Sequence, residues 1–308
     1  MISRDRAILD YTEPMTYSLM MEYVELFAER YPEISVTFIG ESILGRSIPM
    51  VTLGNTEAEK GVFYVGAHHG MEWITTVILL RFINEYGECV KDDRRMYGYG
   101  MSHTARTRFI SVVPMLNPDG VDLQIGGIPE GCPMEERLLR MNGGGDFRGW
   151  QANIRGVDLN HNYAAGFEEY KAVERELGIT GGSAGKYSGE YPESEPETAA
   201  LASYLRWSDG VKAVLTLHTQ GEEIYCGDCS AAGSERLGRM ISRMTGYRLS
   251  QPEGTALYGG LTDWYTREVG RPAFTLECGK GENPLPLSDY FKIYAGLREL
   301  LFCMPVMV

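Results

Sequence analysis

The stretch GVFYVGAHHGMEW, residues 61–73, joins a strand pattern, a short loop and the start of a helix. Residues 62–65 form a β-branched and aromatic run, which is typical of a buried strand. Apolar residues then recur with helical spacing over residues 73–86. Ligand-binding and catalytic groups collect at the carboxyl ends of strands in open α/β sheets. The pair His69 and Glu72, spaced H-x-x-E, is therefore a candidate for binding one divalent ion.

Apolar patterns on either side of this stretch predict an alternation of helices and strands. Helices are expected at residues 17–30, 73–86, 194–206, 233–244, 261–269 and 288–302, and strands at 34–39, 48–53, 62–65, 109–115, 211–217 and 273–276. A surface connection is expected at residues 91–108, a turn at 117–120, and long irregular loops at 126–156 and 178–193. With no Pro/Ser-rich linker and no repeat, the sequence predicts one α/β domain over residues 1–308, with a mostly parallel or mixed sheet.

Composition and charge exclude several classes of function. The 308 residues carry 29 basic and 42 acidic side chains, a net charge of −13, so neither nucleic acid nor an anionic membrane surface is an expected partner. No apolar run approaches the ~18 residues of a membrane span, and the first residues lack the apolar core of a signal peptide. We therefore expect a cytoplasmic protein whose six cysteines are free thiols. The oligomeric state is left open.

Three further predicted strands end in polar residues that extend the candidate site. A zinc hydrolase needs three protein ligands and an open position, and His218 at the end of strand 211–217 is the best third ligand. The base should be a carboxylate near the metal but not bound to it, which favours Glu277 at the end of strand 273–276. Asn117 follows the remaining strand, and His68, next to His69, is expected to point away from the metal.

Five segments occur in the order, and at the approximate separations, of one enzyme family. They are HHGMEW (68–73), VVPMLNPDGVD (112–122), NIRGVDLNHNY (153–163), LHTQGE (217–222) and FTLECGKG (274–281). In these segments the chain resembles the zinc metallocarboxypeptidase (funnelin) family, from about residue 17 to the last helix. The resemblance implies one Zn²⁺ per chain held by His69, Glu72 and His218, with Glu277 as general base and proton shuttle. It also implies a central mixed sheet flanked by helices on both faces.

Departures from the family pattern concern the residues that would bind substrate. The family grips a C-terminal carboxylate with an arginine after the asparagine of its GVD-x-N motif; here Asn160 is kept and His161 follows. The arginine that assists the oxyanion would fall near Gln151, so that Arg155 or another cation has to serve. A neutral histidine cannot make the bidentate grip of a guanidinium, which argues against ordinary C-terminal trimming. The candidate substrate-binding residues are Asn160, His161, Arg155, Gln151 and Tyr258, the last near the family's mobile tyrosine.

Further phrases narrow the resemblance to one bacterial group. They are WQANIRGVDLNHNY (150–163), SEPETAAL (194–201), LHTQGEEIY (217–225) and NPLPLS (283–288). They look like the γ-D-glutamyl-L-diamino acid endopeptidases of the endopeptidase I type, which cleave the γ-D-Glu–meso-diaminopimelate bond of peptidoglycan stem peptides. The resemblance implies a peptidoglycan-derived peptide as substrate, and we expect no LysM domain and a role on soluble muropeptides. The alternatives are a zinc carboxypeptidase acting on other peptides, an N-acyl amino acid deacylase, and a catalytically inactive muropeptide-binding protein.

Overall fold

A mixed eight-stranded sheet lies at the centre of the protein, of which the computed structural model describes residues 11, 13–227 and 231–308. The strands are β1 (Ile34–Glu41), β2 (Ser47–Gly54), β3 (Gly61–Val65), β4 (Arg95–Met96), β5 (Tyr99–Gly100), β6 (Phe109–Val113), β7 (Val211–His218), β8 (Glu223–Cys226), β9 (Arg248–Ser250) and β10 (Ala273–Glu277). Strands β4 and β5 form a separate hairpin, and the large sheet has the order β1-β2-β6-β3-β7-β10-β8-β9. Its four central strands, β6, β3, β7 and β10, are parallel to one another.

Helices cover both faces of this sheet. They are α1 (Tyr17–Arg30), α2 (Ile74–Lys91), α3 (Met101–Thr107), α4 (Pro118–Gly126), α5 (Glu135–Asn142), α6 (Phe167–Glu176), α7 (Pro196–Trp207), α8 (Ser234–Thr245), α9 (Leu261–Glu268) and α10 (Tyr290–Met307). Helices α1, α2, α8 and α10 share one apolar core, while α7 and α9 share a second. The expected single α/β domain with a mixed, mostly parallel sheet flanked by helices is confirmed.

Strand β3 shows why the sheet is buried on both sides. Its side chains alternate between faces, as strand geometry requires. Val62 and Tyr64 pack into the core beneath α2 and α10, while Phe63 and Val65 pack into the core beneath α7 and α9. All four side chains are fully buried. A central parallel strand covered on both faces therefore has the continuous apolar run seen in the sequence.

The structure differs from the sequence expectations in several connections. The predicted turn at residues 117–120 is the start of α4, because Asn117 caps the helix by accepting a hydrogen bond from the Gly120 amide and Pro118 occupies the first turn. The predicted irregular loop 126–156 contains α5, and the predicted surface connection 91–108 contains the hairpin and α3. Helix α6 and strands β8 and β9 were not expected.

The remaining global expectations concern thiols and membranes. Cys89, Cys132, Cys278 and Cys303 are free thiols, and Cys229 lies outside the described residues. None of the helices in the described ranges has the length and apolar character needed to cross a bilayer.

Candidate active site

The carboxyl ends of three neighbouring parallel strands bring the predicted reactive residues together. Strand β7 lies between β3 and β10, and His218 of β7 and Glu277 of β10 are direct cross-strand partners. Val65, the last residue of β3, pairs with Thr216, two residues before His218. His69 follows in the short connection to α2. The carboxyl ends of neighbouring parallel strands lie at the same edge of the sheet, so the residues at those ends come close together.

The loop that carries His69 is fixed by close backbone packing. Nδ2 of the Asn117 side chain donates to the carbonyl of His68 at 3.0 Å and to the carbonyl of Ala152 at 3.1 Å. Gly70 packs so tightly that a Cβ atom there would lie 2.5 Å from the Gly120 carbonyl oxygen. Asn117 therefore shapes the loop from within the protein, and only glycine fits at position 70 without movement of α4.

Three buried side chains direct donor atoms at one another. Nδ1 of His69 lies 2.9 Å from Oε1 of Glu72, and Nδ1 of His218 lies 3.0 Å from Oε2 of the same carboxylate. The two Nδ1 atoms are 3.2 Å apart. In the described part of the chain this is the one group of at least three His, Cys, Asp or Glu side chains whose ligand atoms lie within 4.8 Å of one another.

This donor set fits a zinc ion. Two ligands bound tetrahedrally at about 2.0–2.1 Å from zinc are themselves about 3.3 Å apart, close to the observed separation of the imidazole nitrogens. Two nitrogens and one carboxylate oxygen are also the ligands of catalytic zinc sites that keep a position open. Burial leaves water little access to these polar atoms, so a shared cation would replace the solvation that they lack.

A second carboxylate holds His69 from its other side. Oδ1 of Asp158 lies 3.1 Å from Nε2 of His69, and Asp158 is fully buried. Burial alone acts to lower the pKa of His69, but the carboxylates of Glu72 and Asp158 outweigh it and raise that pKa well above its ordinary value. With Nε2 donating its proton to Asp158, Nδ1 is the ring nitrogen available to a metal.

His68 faces away from this cluster, as expected from the sequence. Its Nε2 lies 3.0 Å from the Tyr163 hydroxyl, and its Nδ1 lies 3.3 Å from the hydroxyl of Thr216. Burial and the neighbouring His218 lower the pKa of His68 well below its usual value. A neutral ring with both nitrogens engaged is a packing element under the cluster.

Two of the three donors, His69 and Glu72, line a cavity of about 250 Å³ that Glu277 also lines. Burial and the Glu72 carboxylate raise the pKa of Glu277 to about 8 in the protein alone. A divalent cation at the neighbouring donors would favour the ionised form and lower that pKa towards neutrality. A carboxylate that titrates in this range and is not one of the clustered donors suits proton transfer.

Three of the five candidate substrate-binding residues line the same cavity. They are Gln151, Asn160 and His161. Nδ1 of His161 donates to the carbonyl of Tyr258 at 2.7 Å, and the ring stacks on Tyr170 with 3.8 Å between centroids. Burial lowers the pKa of His161. The ring is therefore held in one orientation as a neutral group, without the charge of the family arginine that it replaces.

Arg155 and Tyr258 are the two candidates that the structure does not bring into the cavity. Arg155 lines a different cavity of about 330 Å³, with its Nε 3.8 Å from the buried Glu195 carboxylate. The ring of Tyr258 packs against Gly166, so that a Cβ there would lie 2.7 Å from Cδ1 of the ring. In the structure both side chains therefore lie outside the cavity of the donor cluster, because an ion pair and a packing contact direct them elsewhere.

Sequence reasoning missed other residues of the cavity, namely Asp158, Lys186, Thr262, Asp263 and Asn283. Asp158 could have been found, because it stands in the quoted GVDLN segment two residues before Asn160. Lys186 carries no such signal, since it lies in an irregular loop between glycines.

Comparison with known proteins covers most of the chain. The profile of the zinc carboxypeptidase family matches residues 20–294. Gamma-D-glutamyl-L-diamino acid endopeptidase 1 of Lysinibacillus sphaericus is 37% identical over 281 residues, which cover 90% of this chain and 69% of that protein. The uncharacterized protein YqgT of Bacillus subtilis (strain 168) is 31% identical, over 92% of this chain and 75% of its own length.

Solved structures share the fold at low sequence identity. The crystal structure of thrombin activatable fibrinolysis inhibitor superposes with a TM-score of 0.72 at 20% identity, covering 97% of this chain and 75% of that one. Murein-tripeptide amidase MpaA from Escherichia coli O157 gives a TM-score of 0.53 at 20% identity, covering 89% of this chain and 91% of that one. These likenesses concern the arrangement of sheet and helices.

Proposed function

The chain belongs to the zinc carboxypeptidase family and is a zinc metallopeptidase, and we propose that it hydrolyses the γ-D-Glu–meso-diaminopimelate amide bond of peptidoglycan stem peptides. One zinc ion per chain would be held by His69, Glu72 and His218. The observation that carries the proposal is the cavity, which is lined by His69, Glu72 and Glu277 beside His218 but, among the described residues, by no arginine that could hold a C-terminal carboxylate. The 37% identity to a γ-D-glutamyl-L-diamino acid endopeptidase supports the choice of substrate.

Each side chain of the site has its own role in the proposed reaction. When bound, zinc supplies Lewis-acid activation of the scissile carbonyl and of the attacking water. Glu277 takes a proton from that water and gives it to the leaving amine of diaminopimelate. Asp158 fixes the tautomer of the neutral His69 ring, with the proton on Nε2 and the lone pair of Nδ1 aimed at the metal, because it accepts a hydrogen bond from Nε2.

The neutral groups of the cavity argue against a carboxypeptidase that removes C-terminal residues. An arginine binds a terminal carboxylate through two parallel charged hydrogen bonds, and a fixed neutral imidazole offers at most one. His161 has already committed Nδ1 to the carbonyl of Tyr258. A substrate that is cleaved within a longer peptide does not need an arginine to bind a terminal carboxylate next to the scissile bond.

The test uses the tetrapeptide L-Ala-γ-D-Glu-meso-diaminopimelyl-D-Ala with zinc-loaded protein. The proposed endopeptidase releases L-Ala-D-Glu and the dipeptide diaminopimelyl-D-Ala, which mass spectrometry separates. Release of free D-Ala instead identifies a carboxypeptidase. Hydrolysis of N-acyl amino acids without cleavage of the peptide identifies a deacylase, and binding without turnover identifies an inactive muropeptide-binding protein. Each of these three results contradicts the proposal.

A matched pair of variants tests the proposed base. Glu277→Gln keeps the shape of the side chain and removes its proton affinity, so we expect kcat to fall by about 10² to 10⁴ with zinc retained. Glu235→Gln removes an exposed carboxylate on α8 that pairs with Arg239, and its activity should equal that of the wild type. A Glu277→Gln protein with wild-type kcat would exclude Glu277 as the base.

A further inference from the structure

Lys186 carries a positive charge in a cavity lined mostly by neutral and acidic groups. Among the residues that the structure describes, it is the one Lys or Arg side chain on the cavity wall, which also carries Glu72, Asp158, Asp263 and Glu277. The side chain is exposed, and within the described ranges it forms no ion pair. Its ammonium is therefore available to a ligand at the mouth of the site.

The backbone fixes where this charge stands. The Lys186 amide donates to Oδ2 of Asp158 at 3.1 Å, while the other oxygen of that carboxylate accepts from His69. The preceding residue, Gly185, packs on Gln151 so closely that a Cβ would lie 2.8 Å from Oε1 of the glutamine. Lys186 itself has a φ of +66°, a left-handed conformation that an L-residue adopts at a cost. One carboxylate thus positions both the candidate zinc ligand and the lysine.

The cavity has two chemically different walls. Lys186 and Gln151 form one, since the segment at residues 184–186 packs on the glutamine and its main chain bonds that of Gln151. Asn160 belongs to the other, because its side-chain oxygen accepts from the Leu261 amide at 3.2 Å, next to the cavity residues Thr262 and Asp263. The first wall is cationic and the second is neutral to acidic.

Building on the proposed function, we propose that Lys186 determines specificity for a γ-linked glutamyl residue by binding its free α-carboxylate. A γ-linkage leaves that carboxylate unblocked a few bonds from the scissile carbonyl, whereas an ordinary α-linked peptide has no anion there. The leaving diamino acid carries a side-chain ammonium, which suits the wall with Asp263. An anionic acyl group needs a cation to enter beside four carboxylates, and Lys186 supplies it.

The experiment compares two peptides that differ only at this group. One is L-Ala-γ-D-Glu-meso-diaminopimelate, and the other carries an α-carboxamide in place of the glutamyl α-carboxylate. Steady-state kinetics are measured for the wild type and for Lys186→Met, Lys186→Arg and Lys212→Met, the last removing a half-buried lysine on β7 that does not line the cavity. Calorimetry on Glu277→Gln proteins, with and without Lys186→Met, gives the affinity of each peptide separately from turnover.

We expect Lys186→Met to lower kcat/KM for the acid peptide by about tenfold, mainly through KM, and to leave the amide peptide unchanged. The calorimetric affinities should change in the same pattern, Lys186→Arg should restore most of the loss, and Lys212→Met should have no effect. If the wild type cleaves the acid peptide but Lys186→Met reduces both peptides equally, the inference is wrong and the proposed function stands. If the wild type cleaves neither γ-glutamyl peptide, the proposed function fails and the inference fails with it.

Discussion

Replacing Asp158 by asparagine removes the negative charge of this side chain and keeps its shape. The wild-type carboxylate accepts three hydrogen bonds: Oδ1 from Nε2 of His69 at 3.1 Å and from the Asn160 amide at 3.2 Å, and Oδ2 from the Lys186 amide at 3.1 Å. Although burial acts to raise it, His69, His161 and these donors hold the pKa of Asp158 well below its ordinary range. The group is therefore an anion with acceptor capacity on both oxygens.

The side-chain amide of an asparagine can take two orientations here, and each loses one of the favourable interactions of the carboxylate. With its oxygen towards His69, its NH₂ group faces the Lys186 amide, and a buried donor without an acceptor costs about 1–3 kcal/mol. With its NH₂ group towards His69, the ring must accept at Nε2 and carry its proton on Nδ1, the nitrogen that faces Glu72 and His218. A proton there opposes metal binding directly.

We therefore expect Asp158→Asn to weaken zinc binding by about tenfold to a hundredfold, which is about 1.4–2.8 kcal/mol. Competition against a chromophoric chelator measures this at several alkaline pH values, where proton competition for His69 is smallest. Asp209→Asn, which removes an exposed aspartate, should bind zinc as the wild type does. A folded Asp158→Asn protein with wild-type zinc affinity would refute the role given to this carboxylate.

Three further tests, with four substitutions, concern other parts of the structure. His68→Gln should keep zinc through dialysis and His69→Gln should lose it, as metal analysis would show, because only the second side chain faces the donor cluster. Gly70→Ala should lower the free energy of unfolding by about 1–3 kcal/mol in urea, since its Cβ would meet the Gly120 carbonyl at 2.5 Å. Burial raises the pKa of Glu197 to about 8. The native protein thus keeps a proton there that the unfolded chain releases near pH ~4.5, so this contribution to stability is lost as pH rises from about 4.5 to 8, with a slope of up to about 1.4 kcal/mol per pH unit. Glu197→Gln should flatten that slope in urea titrations at pH 5 to 8, and equal slopes would contradict the assignment.

The strand-end residues could be predicted because their positions follow from local pattern and parallel geometry. A buried apolar run predicts a strand, its last residue lies at the carboxyl edge, and neighbouring parallel strands present those residues together. His218 and Glu277 therefore meet as cross-strand partners in the register of β7 and β10. The H-x-x-E spacing placed His69 and Glu72 within one turn of chain, and their donor atoms are 2.9 Å apart.

Loop side chains could not be placed from the sequence in the same way. Arg155 stands five residues before Asn160, yet its guanidinium is directed to Glu195 by an ion pair between segments 40 residues apart in the chain. Lys186 reaches the cavity because its backbone adopts a positive φ and bonds to Asp158, and neither feature has a pattern in the sequence. Contacts between segments far apart in the chain determine where these loop side chains lie, whereas hydrophobic periodicity determines where the strands lie.

The charges of the cavity connect the metal, the lysine and the substrate. Four carboxylates, the Lys186 ammonium and the His69 ring, whose pKa is raised, line it, so the protein alone presents a negative field even when Glu277 holds its proton. The proposed peptide also carries carboxylates, and like charges in a partly buried site repel strongly. A divalent cation at His69, Glu72 and His218 offsets most of that charge, so we expect it to govern binding of the anionic peptide as well as its hydrolysis. Calorimetry on Glu277→Gln protein with and without zinc separates these effects, because equal affinities in the two states would show that charge balance does not control entry.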